Sequence, residues 1–348
     1  MLQKQVPLLE VKGLKKHYPI YGGIIPHAIG KIYAVDGVDF EIPEGTTLGL
    51  VGESGCGKST VGRQIVGLER PTEGKVIYRG RGLDELSAAE MKKIRTQIQM
   101  IFQDPFASLN PRKRIVDIIS EPMRYHKLAA KKPVHQEVDR LLELVGLPRS
   151  SKEKYPHEFS GGQKQRIGIA RALSLQPKLI VCDEPVSALD VSIQAQVLNL
   201  LRSLQKDLGL TYLFIGHGLD AVNYISSRIA VMYLGRIVEI ADAKELFSNP
   251  VHPYTQALCN AAPIPDPKER ERERVIIQGE IPSNTAPPVG CPFHPRCPHA
   301  IQKCREIRPV LEPVVSEGYH MAACRLVKDG AKGNKEENSK RKLEVEVR

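Results

Sequence analysis

The sequence predicts an α/β fold, and three features point to it. Short apolar runs alternate with helical patterns from Leu8 to about Leu258, the order that builds a sheet covered by helices. Thr46 to Val51, Leu179 to Asp183 and Tyr212 to Ile215 each read as a buried strand. A glycine-rich stretch lies where the first of these runs gives way to a helix.

Taken in order, that glycine-rich stretch is Gly52-Glu53-Ser54-Gly55-Cys56-Gly57-Lys58-Ser59, followed by Thr60. A strand before it and a helix after it are the setting of a P-loop. Glycines let the backbone turn tightly, so that successive N–H groups face phosphate oxygens. Lys58 would reach the β- and γ-phosphates, and the Ser59 hydroxyl would ligand Mg²⁺. Cys56 reads as a small filler. Between Asp104 and His157 the strand signals stop, and helical patterns bounded by Pro111, Pro133 and Pro148 take over. They predict a helical subdomain of about 104–175 inserted into the α/β core. Phe159-Ser160-Gly161-Gly162-Gln163 then precedes a helical run from Lys164 to Ser174, with Ser160 suited to cap it.

The strand Ile180-Val181-Cys182 ends in Asp183 and Glu184. One carboxylate there would orient Mg²⁺, and the other would polarise an attacking water as general base. After Ser192, helical spacing at Ile193, Val197, Leu200, Leu204 and Leu208 predicts a helix with one buried face.

Composition sets bounds on the function. Hydrophobic residues make up 41% of the chain and charged residues 26%, an ordinary globular balance. No apolar run approaches the roughly 18 to 20 residues needed to cross a bilayer. Met1 to Lys16 holds no signal-peptide core, so any membrane role is expected to be peripheral. The formal net charge of +10 fits nucleic acid, anionic lipid, nucleotide phosphates or a merely Lys-rich surface. Part of the excess sits in the charged tail, 327–348.

The proline run Pro263-Ile264-Pro265-Asp266-Pro267 marks a boundary. The expected organisation is a nucleotide-binding domain over 1–262, a linker over 263–274 and a small Cys-rich domain over 275–326. Four of the seven cysteines, Cys291, Cys297, Cys304 and Cys324, fall in that last segment with spacing C-x5-C-x6-C-x19-C. So small a segment needs a staple. Zinc sites usually start with tighter knuckles, whereas prolines after Cys291 and Cys297 match one iron–sulfur pattern. Zinc with His294 or His299, and unliganded thiols, remain alternatives. Distance in sequence from Lys58 and Glu184 points to a structural or docking role for the cluster and not to catalysis.

The joint motif set resembles that of ABC transporter ATP-binding subunits. Ser160-Gly161-Gly162-Gln163 matches the family's signature, Ser187-Ala188-Leu189-Asp190 its D-loop and His217 its switch histidine. Tyr18 matches the aromatic that stacks on adenine, and Gln103 the residue that senses the γ-phosphate and joins the Mg²⁺ shell. One departure stands out: Gly216-His217-Gly218 replaces the usual Ser-His-Asp. The resemblance implies two cassettes meeting head to tail, with ATP between one P-loop and the other's signature. Translation-type members fuse two ATPase units and repair-type members insert long coiled coils, so neither nucleic-acid class fits.

Gln103-Asp104-Pro105-Phe106-Ala107-Ser108-Leu109-Asn110-Pro111 and His252-Pro253-Tyr254-Thr255-Gln256-Ala257-Leu258 resemble dipeptide and oligopeptide permease ATPases of the F type. Related systems for nickel or oligosaccharides share these stretches. That resemblance implies a non-identical D-type ATPase partner, two membrane permease subunits, an extracytoplasmic peptide-binding protein and a place on the cytoplasmic face of the membrane. It also implies a [4Fe–4S] cluster on the four late cysteines.

Overall fold

The computed structural model describes residues 6–23, 27–104, 108–128, 133–261, 279–314 and 318–326. The expected linker 263–274, the tail 327–348 and Pro105, Phe106 and Ala107 of the subfamily stretch lie outside the described residues.

A long antiparallel hairpin, β1 (Leu9–Gly22) and β2 (His27–Ile42), opens the chain. The central strand β3 (Thr47–Val51) leads into α1 (Lys58–Ile65), then β4 (Glu73–Tyr78), β5 (Arg81–Gly82), α2 (Ala88–Gln97) and β6 (Ile98–Ile101). Three helices follow: α3 (Ile115–Tyr125), α4 (Val134–Leu144) and α5 (Gly161–Leu173). Next come β7 (Leu179–Asp183), α6 (Val191–Leu208), β8 (Thr211–Ile215), α7 (Leu219–Ile225), β9 (Arg228–Tyr233) and β10 (Arg236–Asp242). The described chain closes with α8 (Ala243–Ser248), α9 (Pro253–Ala261), α10 (Gln302–Glu306), β11 (Glu312–Pro313) and β12 (His320–Ala322).

Two sheets result. The smaller is antiparallel, in the order β2-β1-β4-β5, and the larger runs β11-β12-β10-β9-β3-β8-β7-β6. Strands β9, β3, β8, β7 and β6 are mutually parallel. The strands read as buried are so: every residue of β3, β7 and β8 is covered. Alternation divides their side chains between two cores. Leu179 and Val181 pack toward the small sheet with Leu9 and Val11, while Ile180 and Cys182 pack toward the helices with Ile119 and Leu141. Helices α3, α4 and α5 lie in the chain between β6 and β7.

On α6 the buried stripe is Val197, Leu198, Leu201 and Leu204, and Leu208 is 39% exposed. The expected stripe drifts because strict three- and four-residue steps rotate off the contact line over several turns.

The Cys-rich segment does not stand apart as a separate layer. Its strand β12 pairs antiparallel with β10, Glu239 opposite Ala322 and Ala241 opposite His320. This covers what would otherwise be an open sheet edge with unpaired backbone groups. The fully buried carboxylate of Glu239 fastens the join. It accepts from the backbone N–H of Val251 at 2.9 Å and of His252 at 2.8 Å, and it lies 2.7 Å from His320 Nε2.

Candidate nucleotide site

The turn from β3 into α1 is built on glycine for steric reasons. Gly52 has φ 151° and Gly57 φ 107°. A Cβ on Gly52 would lie 2.1 Å from the carbonyl oxygen of Met232, and one on Gly57 would lie 2.0 Å from that of Ala34. Backbone packs against backbone here, so only glycine fits. Gly57 is also the N-cap of α1 and gives no side-chain hydrogen bond. The first N–H groups of the helix are left for an anion.

Lys58 is 4% exposed, and its ammonium donates to the carbonyl oxygens of Gly52 at 2.8 Å and Glu53 at 3.1 Å. Among the described residues no carboxylate pairs with it, so a phosphate would supply its counter-charge. Cys56 is buried beside it, with Sγ 3.7 Å from the ammonium. Burial pushes its thiol pKa up, in keeping with a filler.

Ser59 and Asp183, the two expected Mg²⁺ ligands, meet: Ser59 Oγ donates to Asp183 Oδ1 at 2.7 Å. Burial holds the Asp183 carboxyl above its ordinary range, with Ser59 pulling the other way and Glu184 adding to the rise. A divalent cation would offset that burial, so this pair fits Mg²⁺.

Glu184 is the hub of the next group. Gln103 Nε2 donates to its Oε2 at 2.8 Å, and His217 Nδ1 lies 3.7 Å from the same oxygen. The backbone of Glu184 is left-handed, with φ 45°, a cost tolerated where surrounding bonds enforce it. Its N–H donates to Ile215 O at 3.0 Å, and its carbonyl accepts the Ser187 hydroxyl at 3.0 Å. No sequence signal marked this strain. His217 itself is 58% exposed. Gly218 starts α7 without a side-chain cap, and a Cβ on Gly216 would meet Val222 Cγ2 at 2.7 Å.

Tyr18 stands half-buried beside α1. Its hydroxyl donates to Glu69, and the Lys16 ammonium lies 5.1 Å from its ring centroid. Burial and Glu69 push its pKa up to about 12, with Thr60 opposing. Asp190 is exposed and N-caps α6 without a side-chain bond.

The signature stretch is elsewhere. Ser160 N-caps α5 in a reciprocal box: its hydroxyl accepts from Gln163 N at 3.4 Å, and Gln163 Oε1 accepts from Ser160 N at 3.0 Å. Gly161 is partly covered, and Gly162 is buried against α6, where a Cβ would meet Ile193 Cγ2 at 2.4 Å. Among the described residues neither Ser160 nor Gln163 bonds to the P-loop.

Three residues beside the P-loop were assigned no role at the nucleotide from the sequence. The buried Tyr254 hydroxyl accepts from Glu53 N at 2.9 Å. Asn284 Nδ2 donates to Gly55 O at 3.1 Å. Arg296 forks onto Glu53, at 2.8 Å from Oε2 and 3.1 Å from Oε1. Two of them come from the Cys-rich segment, which the sequence placed away from the nucleotide. Tyr254 sits in the quoted His252–Leu258 stretch, the one signal that singled it out.

The four late cysteines line one small cavity of about 20 Å³ together with His252, His294 and His299. Among the described residues, however, no group of three His, Cys, Asp or Glu is placed to hold a metal ion. The expected four-thiolate centre is therefore not formed in this arrangement. Burial pushes the thiol pKa of Cys291 and Cys324 up to about 11 and raises that of Cys297.

A glycine-built phosphate loop, a Ser–Asp cation pair and a carboxylate hub on one parallel sheet define a P-loop ATP-binding cassette. Comparison with known proteins agrees. The sequence model of the family described as ABC transporter matches residues 35–187, and that of the oligopeptide/dipeptide transporter C-terminal region matches residues 238–304. The chain is 50% identical to the oligopeptide transport ATP-binding protein AppF of Bacillus subtilis over 92% of this chain and 98% of the relative. It is 52% identical to the oligopeptide transport ATP-binding protein OppF of Salmonella typhimurium, over 90% and 95%. Among solved structures, the dimeric ATP-binding cassette MJ0796 in a post-hydrolysis state with ADP and Pi superposes with a TM-score of 0.60. Its identity is 28%, over 68% of this chain and 98% of that one. The chain belongs to the ABC transporter ATP-binding proteins, in their oligopeptide/dipeptide branch, and is an ATPase of that family.

Proposed function

We propose that this chain hydrolyses ATP to energise the uptake of di- and oligopeptides through separate membrane subunits, from the cytoplasmic face of the membrane. The convergence of Gln103 and His217 on Glu184, beside the Ser59–Asp183 pair, carries the reading. The relatives' oligopeptide transport names support the solute class.

In this reading the phosphates accept from Lys58 and from backbone N–H groups of Gly52–Ser59 other than that of Glu53, which Tyr254 holds. The hydroxyl of Thr60 follows the loop, and Tyr18 offers its ring to adenine. Ser59, Asp183 and Gln103 would hold Mg²⁺, whose charge neutralises the phosphate oxygens when bound. Glu184 accepts a proton from the attacking water, and Gln103 and His217 orient that water and the base. Ser160, Gly161, Gly162 and Gln163 present an exposed helix start to the γ-phosphate of a partner cassette, with Asp190 at the same junction. The dimeric state of the related MJ0796 cassette supports this arrangement. The subfamily resemblance makes the partner a non-identical, D-type ATPase.

A cleft of about 850 Å³ between core and helical insertion supports docking of the membrane permease subunits. Leu68 and Tyr125 on its walls are 60% and 67% exposed. No helix among the described residues is long and apolar enough to cross a membrane. An extracytoplasmic peptide-binding protein completes the importer, and no role on nucleic acid is assigned. Residues 1–262 form the nucleotide-binding unit and 275–326 its C-terminal attachment. A [4Fe–4S] cluster on Cys291, Cys297, Cys304 and Cys324 belongs to this proposal because the four thiols gather on one cavity. As arranged they do not stand at ligating positions, and no step depends on it. Iron and acid-labile sulfide after anaerobic purification would support it; stoichiometric zinc would replace it.

Reconstitution tests the whole. In vesicles holding the permease and both ATPases, peptide-loaded binding protein should stimulate turnover, and Glu184→Gln should stop it. Full peptide-coupled transport with this chain as the only ATPase would remove the non-identical partner.

A further inference from the structure

We infer that Arg296 is a positioning residue for the nucleotide site: from the C-terminal segment it holds and neutralises Glu53, so that the P-loop can accept phosphate.

Glu53 is the second residue of the phosphate loop, and its backbone carbonyl accepts from the Lys58 ammonium at 3.1 Å, so its carboxylate belongs to the same loop that would cradle a triphosphate. An unpaired negative charge in that loop would oppose ATP, since like charges repel in a partly dry site. Arg296 removes that obstacle with a two-pronged contact, 2.8 Å and 3.1 Å from the two carboxylate oxygens. The guanidinium is only 7% exposed and Glu53 25%. A pair this sheltered, with matched planar geometry, is of the stronger kind.

Arg296 is held in turn. Its guanidinium carbon lies 5.9 Å from the ring centroid of Tyr233. Phe293, three residues before it, is buried against Tyr233 and Tyr254 with centroids 5.2 Å and 5.4 Å away. Tyr254 then accepts from the Glu53 backbone, and Asn284 fastens the tip of the loop through Gly55 O. The stretch from Cys291 to Cys297 thus places one aromatic anchor and one cation against the P-loop. The inference rests on the P-loop reading of Gly52–Ser59.

Equilibrium binding of ATP with Mg²⁺ to the full-length chain tests it, with Lys58→Ala as the reference. Arg296→Leu should raise the Kd about tenfold, the scale of one charge-assisted hydrogen-bonded pair, and also lower the unfolding temperature, since it leaves Glu53 unpaired. Arg296→Lys, which keeps the charge and loses the fork, should recover part of that loss. Adding Glu53→Gln to Arg296→Leu should return the Kd to near the wild-type value, because the charge to be neutralised is gone. A tether that merely docks the segment would show no such rescue. Should Arg296→Leu fail to fold, Glu53→Gln alone still decides: binding as tight as wild type or tighter agrees, and a tenfold loss overturns the inference. Wild-type affinity in Arg296→Leu, or no rescue in the double variant, also overturns it. If Lys58→Ala binds ATP normally, the P-loop reading itself fails and not the role of Arg296.

Discussion

Two glycine-rich turns each start a helix in this molecule, and they are built in opposite ways. The turn before α1 uses glycines with positive φ, pressed against the carbonyl oxygens of Met232 and Ala34, and leaves the helix end uncapped. The turn before α5 caps its own helix with Ser160 and Gln163, and its glycines lie inside the helix. The first is a closed cradle, braced by Arg296, Asn284 and Tyr254. The second is an exposed helix end whose close packing, Gly162 on Ile193, points inward. The first is assembled from distant parts of one chain, whereas the second, in the proposed reading, faces the γ-phosphate of a partner cassette.

The largest effects should separate the two. Lys58→Ala should abolish ATP binding by the isolated chain, and Glu184→Gln should leave binding intact while lowering turnover of the assembled complex. Removing a general base costs on the order of 100- to 10,000-fold. Binding titrations and phosphate release measure the two effects, and a wild-type rate for Glu184→Gln would remove it as the base.

Ser160→Ala should leave ATP affinity of the isolated chain unchanged, yet lower turnover of the assembled complex by on the order of 100-fold, as loss of one aligned anion donor does. Losing the cap should also cost about 1 kcal/mol of stability, readable in denaturant unfolding. Weakened ATP binding in the isolated chain would mean that the two turns are not independent.

Alanine at single glycines is a smaller, steric version of the same comparison. Gly57→Ala drives a Cβ into a backbone carbonyl at φ 107° and should cost about 3 kcal/mol. Gly162→Ala meets a side chain and not backbone, Ile193 Cγ2 at 2.4 Å and Cβ at 3.7 Å, without the left-handed φ, and should cost less, about 2 kcal/mol. Equal losses in urea unfolding would deny the contrast.

The smallest effect concerns the brace that only the P-loop has. The C-terminal segment is joined at β12, where burial lowers the His320 pKa but Glu239 and Glu245 outweigh it, leaving it above 6.5 in the folded chain. A raised folded pKa stabilises most below the unfolded value of about 6.5. That contribution should fade as pH rises through the folded pKa. Unfolding temperatures of the wild type minus those of His320→Gln, followed from pH 6 upward, should shrink; a difference that grows with pH would reverse the assignment.

The sequence by itself determined the parts that local chemistry dictates. A P-loop needs its glycines and Lys58 in a row, a buried strand must be apolar along Leu179 to Cys182, and Ser160 with Gln163 makes a cap from neighbours only three residues apart. Such features are contiguous, so spacing reveals them. Only the tertiary structure decided what depends on distant chain meeting. It brought Gln103 and His217 onto one oxygen of Glu184 and bent that residue's backbone to φ 45°. It also joined β12 to β10 and set Arg296 on Glu53. Nothing local marks Arg296: a single arginine in a proline-rich stretch reads as solvated charge until the sheet edge carries its segment back to the phosphate loop.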